Sequence, residues 1–147
     1  MGSTEVMFAC VQLGLLMLSL LPLSVTNMRY GTVPNPWLAV LLIVGFGVAA
    51  FGDMSGAEPL TYGTPIWWIA GVVTILGLSV LGVVPGGVAK FLIALIPWFE
   101  FENYLLLVAC GMLLAGAIAK LTKRNAPIVP PFTMAALGLS LSNIVAG

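Results

Sequence analysis

The chain has 147 residues, of which 61% are hydrophobic and 7% charged, whereas soluble domains carry roughly 25% charged residues. With a mean hydropathy of +1.15, this composition excludes an ordinary water-soluble domain, and the length leaves no room for one beside several membrane spans. Five basic and five acidic residues cancel, no basic patch suits nucleic acid, and the lack of histidine removes the commonest general base.

Six apolar segments follow one another. The first, 6–25, is near the twenty residues needed to cross the hydrocarbon core. No basic stretch precedes it, so it reads as a retained span rather than a cleaved signal. Gln12 within it is read as a side chain bonding across helices. Residues 27–36 form a polar loop, and the second span, 37–52, becomes rich in glycine and alanine toward its end, where another helix can approach closely. A loop with Asp53, Glu58 and Pro59 leads to the third span, 65–84, and Pro85, Gly86 and Gly87 break it. The fourth segment, 88–99, is short, and covers roughly two thirds of the core. Three explanations stay open: it starts earlier, it tilts, or it lies partly inside the bundle. The fifth, 104–119, carries Gly111 and Ala115 at the spacing of a close helix contact. After a loop with Lys120, Lys123, Arg124, Pro127, Pro130 and Pro131, the sixth span, 132–145, completes the series.

The charges alternate along this series. Arg29, Lys90, Lys120, Lys123 and Arg124 follow the first, third and fifth spans, while Glu5, Asp53, Glu58, Glu100 and Glu102 occupy the other intervals. Because Lys and Arg in short loops stay on the cytoplasmic side, the expected architecture is an all-α, multi-pass protein of the cell membrane with both termini outside. Tyr30 and Trp37 are expected at one interface, and Tyr62, Trp67, Trp68, Trp98 and Tyr104 at the other. No ionisable residue falls near the middle of a span, which argues against a proton relay, pump or voltage sensor. Cys10 and Cys110 lie in apolar runs without CxxC spacing and read as packing residues, so neither metal nor cofactor is expected.

Two loops and the last span carry further texture. The run Asn27-Met28-Arg29-Tyr30-Gly31-Thr32-Val33-Pro34-Asn35 resembles the first catalytic motif of the type IV prepilin and archaeal preflagellin peptidases, in which an Asp is followed seven residues later by Pro-Asn or Pro-Asp. Pro85-Gly86-Gly87-Val88-Ala89-Lys90 resembles the second motif, GxGD with a small residue and Lys after it. Pro127-Ile128-Val129-Pro130-Pro131-Phe132 with Gly138 is similar to the Pro-rich approach to the last helix. The resemblance covers most of the chain and suits the short, peptidase-only members. It implies a six-span fold, a site built around Asn27 and Val88, and substrate contacts at Pro34, Asn35, Gly86, Gly87 and Lys90.

The departures decide the chemistry. Both aspartate positions are substituted, by Asn27 and Val88, and Pro85 stands at the first glycine of GxGD. An aspartic peptidase needs two carboxylates sharing a proton, one to activate water and one to polarise the carbonyl. Asn27 matches Asp in shape but takes up no proton at neutral pH, and Val88 offers no hydrogen bond at all. Asp53, after Gly52, echoes the GD pair, but the charge pattern puts it on the opposite face, and it reads as a loop acid. Glu100 and Glu102 read as solvated interface residues.

Simpler roles stand beside the implied ones. Asn35 and Pro36 suit a helix start as N-cap and first residue. Gly86 and Gly87 admit either a close backbone approach or a turn. Lys90 serves either topology or an anionic ligand. The expected function is a catalytically inactive, peptidase-like subunit that binds lipids and other integral membrane proteins in a larger assembly. The alternatives are a peptidase scaffold deliberately inactivated at its two Asp positions, and an unrelated accessory subunit of a membrane complex.

Overall fold

A computed structural model describes residues 3–55, 65–123 and 127–146. The described residues form six α-helices and one 3-10 turn, without strands: α1 (Ser3–Tyr30), α2 (Asn35–Ser55), α3 (Pro65–Val80), α4 (Gly86–Leu95) running into a 3-10 turn (Ile96–Trp98), α5 (Phe101–Thr122) and α6 (Val129–Ala146). Four of them, α1, α2, α5 and α6, are long and apolar enough to cross a membrane. The protein is therefore an all-helical, membrane-embedded chain. The other two are shorter: the 16 residues of α3 rise about 24 Å, below the full hydrocarbon thickness.

The surface of α1 shows why these helices suit lipid. Met7, Val11, Leu18, Leu21, Val25 and Met28 form an exposed stripe, while Ala9, Gln12, Leu16, Leu20, Leu23 and Asn27 are buried. Both stripes are mostly apolar, as in a bilayer, where the outer face meets acyl chains instead of water. Cys10 and Cys110 are free and exposed, so they belong to this outer surface and are not packing residues.

The helices pack in the order α5, α6, α1, α2, α4, α3. Of the three explanations for the short fourth segment, the structure shows two: the helix starts earlier, at Gly86, and it lies inside the bundle. Ala89, Phe91, Leu92, Ala94 and Leu95 of α4 are buried, as are Ile96, Pro97 and Trp98 of the turn. Phe91 meets Phe132 of α6 edge-on, with ring centroids 5.6 Å apart, and the Tyr104 hydroxyl of α5 donates to the Leu92 carbonyl at 2.9 Å. The Trp98 indole donates to the Leu41 carbonyl of α2 at 2.9 Å. That bond needs Gly45, because a Cβ there would lie 2.6 Å from the indole nitrogen. Gly111 of α5 plays the same part on the other side, where a Cβ would lie 2.7 Å from the Phe132 ring.

Several expected boundaries move. The first helix runs on to Tyr30, so Asn27 is not in a loop but in the last helical turn. Gly31, with φ +67°, ends it by donating its N–H to the Asn27 carbonyl at 2.9 Å, the left-handed cap that glycine adopts without a Cβ clash. The third helix stops at Val80 rather than residue 84. Gly82, with φ +74°, donates to Ser79 and Val83 donates to Leu78, the paired bonds of a Schellman stop. Pro85 is consequently the residue before α4, and Gly86 and Gly87 are its first helical residues rather than a turn. Asn35 lies inside α2 by one residue instead of capping it, and Leu38 donates to the Pro34 carbonyl at 3.3 Å. Trp98 and Tyr104 are buried, at 1% and 4% exposure, and so are core residues rather than interfacial ones. Their polar atoms find carbonyl acceptors inside the bundle, which removes the need for interfacial water. The Asp53 backbone falls within α2. Glu58, Tyr62 and Arg124 lie outside the described residues.

Candidate functional site

The sequence of α1 near its end brings small polar groups to the face that meets α6. Ser24 and Asn27 are three residues apart and share that face. Both are buried. The Asn27 side-chain oxygen accepts the backbone N–H of Val129, the first residue of α6, at 3.1 Å. One turn along, Thr133 donates to the Val129 carbonyl at 3.0 Å, and with its proton so placed it accepts from the Ser24 hydroxyl at 2.7 Å. The Asn27 amide is oriented by chemistry: a backbone N–H requires an acceptor, so the oxygen must face Val129. This leaves the amide nitrogen as the group Asn27 can offer elsewhere.

Asn27 borders a cleft of about 620 Å³ at one end of the bundle. The lining comes from all three short connections: Asn27, Gly31 and Asn35 around the first, Pro85, Gly87, Val88 and Lys90 around the second, and Pro127 and Ile128 before α6. The three basic stretches of the sequence thus converge on one end of the molecule. The residues of interest are brought together accordingly. Asn27 and Val88 face one cavity, with Asn35, Gly87 and Lys90 beside them. Pro34 and Gly86 stand next to lining residues without lining it themselves.

Three helices start at this cleft, so three positive dipole ends point toward it. α1 ends there too, with its Asn27 carbonyl occupied by Gly31. The N-terminus of α4 has no side-chain cap. The N–H groups of its first turn, on Gly86, Gly87 and Val88, have no acceptor within the helix. Lys90 is exposed on the same face, three and four residues from the glycines. Among the described residues the cleft lining contains no carboxylate, and Lys90 is its one ionisable side chain. Among the described residues no cluster of His, Cys, Asp or Glu could hold a metal ion. The arrangement can donate hydrogen bonds and attract negative charge. Its described lining holds no carboxylate pair.

The Ser24–Thr133 bond escapes a reading of the sequence residue by residue. Its one visible signal is a pair of small hydroxyl residues placed near helix ends in otherwise apolar runs. Comparison with known proteins finds no match for the chain among family models, curated proteins or solved structures.

Proposed function

We propose that this chain is a six-pass protein of the cytoplasmic membrane, with both termini outside, that has the layout of a prepilin-type peptidase but binds rather than cleaves. In this reading it is a structural or binding subunit of a larger membrane assembly. The observation that carries it is the shared cleft. The two residues at the family's aspartate positions, Asn27 on α1 and Val88 on α4, are separated along the chain by α2 and α3 yet line one cavity with Gly87 and Lys90. The convergence of the basic connections on that end supports a cytoplasmic placement. The direction of α3 and α4, one arriving at the cleft end and the next leaving it, supports two further crossings by these shorter helices. Among the described residues no carboxylate lines the cleft, which supports binding over hydrolysis.

The test is an assay of purified protein in vesicles against a substrate with a prepilin-type leader. The unaltered chain is expected to leave the substrate intact while retaining it in a pull-down. Inhibitor-sensitive cleavage by the unaltered chain overturns the reading. Asn27→Asp combined with Val88→Asp supplies the missing pair: cleavage by that variant supports the peptidase-like layout, and an inert but folded variant counts against it. Isolation from native membranes as a stoichiometric part of a large complex is expected, and isolation as a lone monomer argues against the subunit role.

A further inference from the structure

We propose that the cleft and the groove beside it form a site for one anionic phospholipid, with its phosphate at the start of α4 and an acyl chain along the α2–α4 seam. The inference does not rest on the family resemblance. Four observations carry it.

The first is the start of α4. Its first-turn N–H groups have no side-chain cap, and the two glycines leave open space where a Cβ would stand. Such an end favours an oxyanion through its N–H groups and its dipole. The second is Asn27. It is 4% exposed, its oxygen is held by Val129, and among the described residues its amide nitrogen has no acceptor. With its oxygen so engaged, what Asn27 can offer a molecule in the cleft is a donor. The third is charge: Lys90 is on the same face as the glycines, and among the described residues no acid lines the cleft. A basic peptide segment would be repelled there. The fourth observation selects a lipid over a free anion. A second groove, of about 270 Å³, continues from the cleft and shares Asn35, Leu38 and Lys90 with it. Beyond Lys90 its walls are Ala39, Leu42, Ile93 and Ala94. A phosphate alone leaves these walls bare, whereas a phosphate joined to an acyl chain fills both spaces.

The full chain, reconstituted with phosphatidylcholine and a minority of phosphatidylglycerol, extracted in mild detergent and weighed by native mass spectrometry, tests this. One retained phosphatidylglycerol per chain is expected, in preference to phosphatidylcholine. Lys90→Gln is expected to lower its retention about tenfold, through loss of the charge-assisted contact. Asn27→Asp still accepts the Val129 N–H but replaces a donor by an anionic oxygen, so it too should lower retention without unfolding the protein. Equal retention of the two lipids, or retention unchanged in both variants, overturns the proposal. Displacement by millimolar inorganic phosphate overturns the lipid assignment in favour of a free-anion site, and a bound polypeptide in place of lipid overturns it likewise. If a variant unfolds, the unaltered chain still decides.

Discussion

The helices α6 and α4 begin at the same cleft, and their first turns are built in opposite ways. At α6 the Val129 N–H is taken by Asn27, and the next two residues, Pro130 and Pro131, have no N–H to satisfy. Phe132 follows, fully buried between Gly111 and Phe91. At α4 no side chain caps the first turn, and Gly86 and Gly87 face open space. One end is closed by neighbouring side chains and anchored by an aromatic ring. The other keeps its donors and its room. The difference teaches that the cleft has a closed wall and an open wall, and that the Asn27 oxygen belongs to the closed one.

The closed wall should be the sensitive one. Phe132→Ala is expected to cost the most, about 3 kcal/mol, at the low end for such truncations because the side chain leaves protein for lipid rather than water. Unfolding of the purified protein by denaturing detergent measures it. Gly111→Ala places a methyl group against the same ring and should cost about 1–3 kcal/mol through overpacking. Combined with Phe132→Ala, that cost should largely vanish, and a double-mutant cycle reports the coupling. If the two effects simply add, the contact seen at Gly111 is not what holds α5 to α6.

Asn27→Leu leaves the Val129 N–H buried without a partner and should cost about 1–3 kcal/mol. Asn27→Asp retains the acceptor and should stay close to the parent in the same unfolding assay. A loss of equal size in both would mean that the cap is not the source of the stability. The open wall gives the smallest effect and the opposite sign. Gly86→Ala meets no atom and should raise stability by about 0.5 kcal/mol, by restricting the unfolded chain. A clear loss there would show that α4 does not start as described. These pairs set the closed end against the open one directly, and the contrast fails if both respond alike.

Much of the bundle was legible from patterns that repeat. Apolar runs of span length mark α1, α2, α5 and α6, because a bilayer requires such runs and water disfavours them. Gly111 was legible as a contact because small residues are the means by which membrane helices approach. The helix ends were less so. The run 27–36 looks polar and loop-like, yet α1 continues through Asn27 because Gly31 supplies the left-handed cap four residues later. The break near Pro85 was visible, but Gly82 stops α3 earlier, since a Schellman stop needs only one glycine in the right register. The candidate site was half legible. Asn27, Val88, Asn35, Gly87 and Lys90 do border one cleft. That Asn27 is committed to Val129, and that Ser24 and Thr133 lie alongside, depends on partners more than a hundred residues away.

By itself, the order of residues determined that the chain lives in a membrane and that hydrolysis by a carboxylate pair at positions 27 and 88 is closed to it. Both follow from side-chain chemistry that no fold can alter: apolar runs partition into hydrocarbon, and neither Asn nor Val exchanges a proton near neutral pH. Only the tertiary structure decided that α4 sits at the centre of the bundle, with Trp98 and Tyr104 turned inward. It also decided which helix start is sealed and which stays open to the cleft. A hydrogen bond or a dipole acts only over a few ångströms, so its partner is set by where the helices pack and not by their order along the chain.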